Sequence, residues 1–205
     1  KTGKQMWYKL DANGNVTKET TTEYSDALKH RIEHALLNAP FSGGLQMGVT
    51  WKKQLSLTMD WTFLAGVYSL NNDRYFLENN VSGGFTMLNR SKKLKNEWRD
   101  DLTDEEKAKV TAPKFDEQTV VDDRFLENSS FLRLKNIQLA YTFPKSVFGT
   151  QKVITGAKVY VSARNLLTVT SKEYNGFDPE TSAGGLTLNR FPNTRQFVGG
   201  IQLMF

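Results

Sequence analysis

The stretch FSGGLQMGVTWKKQLSLTMDWTFLAGVYS, residues 41–69, alternates apolar with polar or small side chains on both sides of a short break. A period of two predicts β-strands with one apolar face. Strands of soluble proteins usually have about 5 to 6 residues, whereas this apolar face continues from residue 55 to residue 67. We therefore predict a transmembrane β-hairpin over 41–69. The side chains expected to face lipid are Leu55, Leu57, Met59, Trp61 and Phe63.

A second transmembrane hairpin is predicted over residues 131–170. Its first strand ends before Pro144, because proline cannot donate a hydrogen bond to a sheet. Its second strand covers 157–170, where the alternation weakens at 165–167 and predicts a bulge. The lipid-facing residues expected in this hairpin are Ile137, Leu139 and Tyr141.

The connections between these strands alternate in length. Residues 52–54 and 145–156 are short links, whereas the other connections are long. Outer-membrane β-barrels combine short periplasmic turns with long extracellular loops, and their strands need only about 9 to 11 residues. We therefore predict an all-β, antiparallel transmembrane barrel whose long extracellular loops carry short helices. The predicted loops are 1–40, 70–130 and 171–194.

A last strand is predicted over residues 195–205, with its end on the periplasmic side. Trp51, Phe143 and Phe205 would then lie near the same membrane boundary, where an aromatic girdle is expected.

The composition excludes several classes of protein. The 205 residues contain no run of about 20 apolar residues, which a spanning helix requires. The net charge of +5 is spread through loops without a basic stripe, so we expect no binding of nucleic acid. The absence of cysteine excludes disulfides and thiolate metal sites.

The loops contain local signals of structure. Asn13 and Gly14 predict the turn of a hairpin. The segment YSDALKHRIEHALLN, residues 24–38, has the pattern of a helix, and Thr103 with Glu106 predicts a capping box at the start of another.

One catalytic pattern occurs, HRIEH at residues 30–34. It matches the arrangement in which His30 and His34 bind zinc and Glu33 acts as general base. Two histidines on a solvated helix are the simpler explanation, because no downstream helix supplies a convincing third ligand. We therefore expect neither a metal, nor a cofactor, nor enzymatic activity. The segment DANGN, residues 11–15, is interpreted as a turn rather than as a calcium loop.

Four blocks of residues 125–205 resemble, in order and spacing, the C-terminal end of the SusC/RagA family of TonB-linked outer-membrane transporters of Bacteroidetes. The blocks are SSFLRLKNIQLAYTFPKS, KVYVSARNLLTVT, YNGFDPET and FPNTRQFVGGIQLMF. The resemblance implies the last strands of a plugged barrel of about 22 strands. The plug, the TonB-contacting segment and the remainder of the barrel are expected outside this sequence.

The resemblance also implies partners and a function. It implies uptake of oligosaccharides or peptides, driven through TonB, with a SusD-like lipoprotein as a lid. The last strand would close the barrel and carry a signal for outer-membrane assembly, at Phe197, Ile201, Leu203 and Phe205. A soluble carbohydrate-binding β-sandwich is the alternative, and it would need partner sheets to bury its apolar faces.

Overall fold

The computed structural model describes residues 3–32, 35, 37–81, 89–115, 120–149, 153–182 and 185–205. The chain divides into two compact units. One comprises residues 1–35 and 70–126, and the other comprises 36–69 and 127–205. None of the helices within the described ranges has the length and apolar character that crossing a membrane would need.

The regular structure is mainly β. In chain order the strands are β1 (Trp7–Leu10), β2 (Val16–Thr21), β3 (Phe41–Trp51), β4 (Leu55–Ala65), β5 (Tyr68–Asn71), β6 (Leu126–Asn128), β7 (Phe131–Thr142), β8 (Gly156–Thr170), β9 (Leu186–Thr187) and β10 (Gln196–Met204). The α-helices are α1 (Tyr24–Ala27), α2 (Asn72–Glu78) and α3 (Asp104–Ala108). Short 3-10 helices cover Leu28–His30, Lys92–Asn96, Asp123–Phe125, Lys145–Val147 and Pro179–Ser182.

A five-stranded antiparallel sheet dominates the second unit. Its strand order is β10-β8-β7-β4-β3, so each pair of neighbours runs in opposite directions. The short links 52–54 and 143–155 lie at one end of this sheet, and the long connections leave from the other end. We call the first end the short-turn end. The three short strands β6, β5 and β9 form a separate sheet in that order.

The β3-β4 link is a tight turn. The backbone N–H of Gln54 donates to the carbonyl of Trp51 at 3.1 Å. Both central residues, Lys52 and Lys53, have positive φ angles of 49° and 58°. Two successive positive φ angles are a feature of the type I′ turn, which usually selects asparagine and glycine.

A bulge interrupts the regular pairing in the middle of the sheet. Asp60 is opposite Asn136 whereas Trp61 is opposite Leu134, so Lys135 is the additional residue. The register between β7 and β8 shifts at the same place, where Asn165 has a φ of 53°. The bulge predicted at 165–167 is therefore confirmed, and it changes the facing of the chain on either side.

The predicted strand over 55–69 is longer than the strand observed. β4 ends at Ala65 because Gly66 has a φ of +75°, a conformation that interrupts a strand and that glycine adopts most readily. Val67 follows with only 2% of its surface exposed, so it belongs to a buried core and not to the outward apolar face.

The predicted helix over 24–38 is wrong in its extent. α1 and the following 3-10 turn end at His30, because Arg31 has an extended backbone with φ −76° and ψ 140°. The capping box is confirmed: the Thr103 side chain accepts from the Glu106 N–H, and Glu106 accepts from the Thr103 N–H at 2.8 Å. The hairpin turn at Asn13 and Gly14 is confirmed between β1 and β2.

Candidate membrane-facing surface and loop anchor

One face of the five-stranded sheet is apolar across all strands. Residues that are directly opposite each other in neighbouring strands share a face, and the register aligns Val49, Leu57, Leu139 and Val161 in one row. Leu139 is 44% exposed, and Val49 and Val161 are 67% and 59% exposed. Such a contiguous exposed apolar surface needs a covering medium or partner.

The eight residues predicted to face lipid all lie on this face. They are Leu55, Leu57, Met59, Trp61, Phe63, Ile137, Leu139 and Tyr141. Their contact with lipid stays a prediction.

The opposite face is polar. Asp60, Asn136 and Arg164 occupy one row across β4, β7 and β8. The Asn136 amide donates to a carboxylate oxygen of Asp60 at 3.1 Å. The alternation along each strand is sufficient to place these residues on the polar face. That they are neighbours follows only from the strand register, which shifts at the bulge.

A buried ion pair fixes the connection after β8 to the polar face of the sheet. The Arg133 guanidinium donates to Asp178 at 2.5 Å and to Glu180 at 2.8 Å. Arg133 and Asp178 are only 2% and 4% exposed. Lys135 also pairs with Glu180. We call Arg133, Lys135, Asp178 and Glu180 the loop anchor.

Backbone groups complete the loop anchor. The N–H groups of Asn193 and Glu180 donate to Asp178 at 2.8 and 3.0 Å. Burial raises the pKa of the Asp178 carboxyl, but the hydrogen bonds from Arg133 and from these two backbone amides outweigh it, so its pKa lies below the ordinary value. The carboxylate is therefore charged at neutral pH and holds both sides of the connection, residues 178–180 and 193.

Sequence reasoning did not predict the loop anchor. Two signals were present: charged residues inside an otherwise apolar strand, FLRLK at 131–135, and the acidic pair of FDPE at 177–180. Their pairing required the fold, because Arg133 and Asp178 are 45 positions apart.

Two cavities contain aromatic side chains suited to stacking on a ligand. A cavity of about 330 Å³ beside the loop anchor is lined in part by Tyr174, Phe177 and Arg195. A cavity of about 450 Å³ in the first unit is lined in part by Trp7 and Tyr8. Either cavity has room for a sugar ring or an amino-acid side chain.

Other aromatic residues of the loops are used for packing. Tyr75 contacts Phe76 and Phe125 with ring centroids 5.3 and 5.5 Å apart. Trp98 is only 6% exposed. These residues stabilise the first unit.

Of the three residues in the predicted zinc pattern, the structure describes His30 alone. His30 ends the helical segment, and its Nδ1 accepts a hydrogen bond from the Leu10 N–H at 3.0 Å. Glu33 and His34 lie outside the described residues. Among the described residues, no three His, Cys, Asp or Glu side chains are grouped so that they could hold a metal. The DANGN segment is a turn, in which the Asp11 carboxylate accepts from the N–H groups of Asn13 and Asn15.

The four residues of the predicted assembly signal lie in or just beyond β10. Phe197, Ile201 and Leu203 share the apolar face and are 73%, 72% and 47% exposed, and Phe205, after the strand end, is 80% exposed. β10 pairs with β8 along one edge and is an outer strand of the five-stranded sheet. Their role in assembly stays a prediction.

Comparisons with known proteins agree with this architecture. The chain is 33% identical over 96 residues to the TonB-dependent receptor P3 of Formosa agariphila, covering 42% of this chain and 9% of that receptor. It is 29% identical over 199 residues to the TonB-dependent receptor SusC of Bacteroides thetaiotaomicron, covering 96% of this chain and 17% of SusC. No family model matches the chain.

Solved structures of the RagAB peptide importer are also similar. In the "closed-closed" state the TM-score is 0.81 with 47% identity, covering 98% of this chain and 21% of that chain. In the "open-open" state the TM-score is 0.83 with 45% identity, covering 100% of this chain and again 21% of the other. The chain thus spans about a fifth or less of the length of these relatives.

The sheet has long strands and one exposed apolar face, and the chain is similar in sequence and fold to the receptors and importer named above. These observations identify the class as that of TonB-dependent receptors. Within that class, the chain belongs to the SusC/RagA family and corresponds to a C-terminal part of such a transporter.

Proposed function

We propose that this chain forms part of the wall and outward loops of an outer-membrane nutrient importer that depends on TonB. The exposed apolar face of the five-stranded sheet carries the proposal, because a face of this extent is suited to contact with hydrocarbon. The polar row of Asp60, Asn136 and Arg164 on the opposite face would then border the lumen.

The remainder of the barrel would pair with both outer strands of the sheet. In lipid every backbone N–H and C=O must be bonded, so β3 and β10 each require a further strand. A plugged barrel of about 22 strands would provide them. β10 would close the barrel against its first strand, and the plug and the TonB-contacting segment would belong to parts of the transporter outside this chain.

The short-turn end would face the periplasm and the long connections would face outward. The outward loops would contact the nutrient and a SusD-like lipoprotein lid. The loop anchor supports this arrangement, because it holds residues 178–180 and 193 against the wall and so gives the loop 171–194 a defined position for such contacts.

A peptide is the favoured nutrient, with oligosaccharide as the second class. The identity of 45–47% to the RagAB peptide importer exceeds the 29% identity to SusC, and both comparisons cover nearly the whole chain. Aromatic and charged side chains in the two cavities suit peptide side chains. No catalytic role is proposed, since the relatives are receptors and an importer.

Cysteine labelling tests the wall. This chain contains no cysteine, so Leu57→Cys on the apolar face and Thr58→Cys on the polar face can each be labelled singly in a transporter without other cysteines. We expect a lipid-soluble quencher to reach a label at 57 and a water-soluble quencher to reach a label at 58. Shielding of position 57 from both reagents in a water-soluble protein would favour the β-sandwich.

Uptake assays test the nutrient. Cells that lack the transporter should fail to import labelled peptides, and the complete gene should restore import. Restoration of oligosaccharide uptake instead would reassign the substrate class.

A further inference from the structure

The short-turn end of the sheet has an unusual distribution of charge. Lys52 and Lys53 form the centre of the β3-β4 turn, and Lys145 lies in the link between β7 and β8. All three are exposed. The sequence has no acidic residue between positions 34 and 59 or between positions 128 and 172. The links at this end therefore contribute lysines and no acidic side chain.

The two lysines of the turn occupy backbone conformations that favour other residues. Their φ angles of 49° and 58° are in the left-handed region, where a side chain carries a steric cost. Asparagine and glycine would satisfy a type I′ turn at lower cost. Two cations at such positions therefore indicate a use for their charge.

An aromatic side chain joins the lysines to the apolar face. Trp51, at the end of β3, is 61% exposed, and the Lys52 ammonium lies 4.5 Å from the centroid of its ring. Tryptophan and lysine are the residues that anchor proteins at the boundary between hydrocarbon and headgroups. The cations are thus located where the apolar face ends.

We propose that Trp51, Lys52, Lys53 and Lys145 form a basic rim that binds the headgroups of anionic phospholipids. The rim offers ammonium groups to a lipid phosphate and Trp51 to the adjoining acyl region. Because no acidic side chain competes, each lysine is available to a negatively charged membrane surface. The inference rests on the proposed membrane location and adds a preference among lipids.

The turn allows a variant that removes charge without damage to the fold. Lys52→Asn with Lys53→Gly gives the residues that a type I′ turn prefers. The complete transporter would be purified in detergent and titrated with phosphatidylglycerol or with phosphatidylcholine of the same acyl chains. Native mass spectrometry would then count the lipids bound to each transporter. The double variant is expected to weaken phosphatidylglycerol binding on the order of tenfold and to leave phosphatidylcholine binding unchanged.

Lys18→Asn with Lys172→Asn is the matched control, because it removes two exposed lysines from the loops. This control should keep the lipid preference. The inference would be overturned if both double variants lost phosphatidylglycerol binding equally, or if the turn variant lost none. Inorganic phosphate should displace bound phosphatidylglycerol less effectively than added phosphatidylglycerol does. If the two displace it equally well, the site binds phosphate and the assignment to lipid is overturned. These outcomes leave the wall proposal intact, since that proposal depends on the labels at positions 57 and 58.

Discussion

Arg133 in β7 and Asp178 in the loop after β8 form an ion pair of 2.5 Å in which both residues are at least 95% buried. A second acid, Glu180, accepts from the same guanidinium at 2.8 Å. Loss of one partner of a buried pair leaves an uncompensated charge, which costs about 3 to 5 kcal/mol. We therefore expect substitution of Arg133 or Asp178 in the loop anchor to be strongly destabilising.

Arg133→Gln should release the loop 171–194 from the sheet. The expected destabilisation is about 3 to 5 kcal/mol, because Asp178 would remain buried without its cation. Hydrogen exchange at neutral pH measures it as lost protection in residues 171–194. Arg99→Gln is the control, since Arg99 pairs with Asp101 at an exposed site and should cost less than about 1 kcal/mol. Unchanged exchange in Arg133→Gln would contradict a role in holding the loop.

Acid should also release the loop. The folded-state pKa of Asp178 is lowered, so its contribution to stability is present above the unfolded value of about 3.9 and is lost as the pH falls through the folded value. A spin label at Lys172→Cys should become mobile in that acidic range. With Asp178→Asn the label should show no such transition, and a transition that persists would assign the effect to another group.

Gly200→Ala should disturb the pairing of β10 with β8. A Cβ at position 200 would lie 2.5 Å from the ring of Tyr160, its direct cross-strand partner. Overpacking of this kind costs about 1 to 3 kcal/mol. Thermal unfolding of the purified transporter measures the loss.

Gly199→Ala provides the comparison, because its Cβ would have an ordinary contact of 3.9 Å with the Tyr160 carbonyl oxygen. This variant should be nearly neutral. If Tyr160→Ala fails to relieve the loss caused by Gly200→Ala, steric conflict with the ring is not the cause.

Phe205→Ser tests whether Phe205 acts in assembly. A recognition role predicts that the transporter fails to insert, whereas a packing role alone predicts correctly located but weakened protein. Outer-membrane fractionation and heat-dependent mobility of the barrel distinguish the two results. Phe191→Ser alters a phenylalanine in a loop that is 92% exposed and should insert normally.

Thr103→Ala should weaken α3 alone. The substitution removes the side chain that accepts from the Glu106 N–H, at a cost of about 1 kcal/mol. Hydrogen exchange within residues 103–109 should rise while exchange in the five-stranded sheet stays constant. A change in the sheet would show that this helix supports more than its own segment.

The period-two pattern of the sequence was sufficient to locate the strands at 41–51, 131–142 and 196–204 within one or two residues. Alternation is a local property, because side chains of a strand point to opposite faces whatever the partner strand is. The capping box at Thr103 and the turn at Asn13 were predicted for the same reason, since each depends on a few adjacent residues.

Longer-range features came only from the tertiary structure. The bulge at Lys135 brings Arg133 and Lys135 to the polar face, and the return of the chain at Asp178 and Glu180 supplies their partners. The helix predicted over 24–38 stops at His30, because the backbone of Arg31 is extended although the surrounding sequence favours a helix. By itself the sequence located the five long strands and the apolar face of each, although it extended β4 beyond Ala65 and did not indicate the short strands β5, β6 and β9. Only the fold determined which charges meet, because ion pairing between distant positions depends on register and not on periodicity.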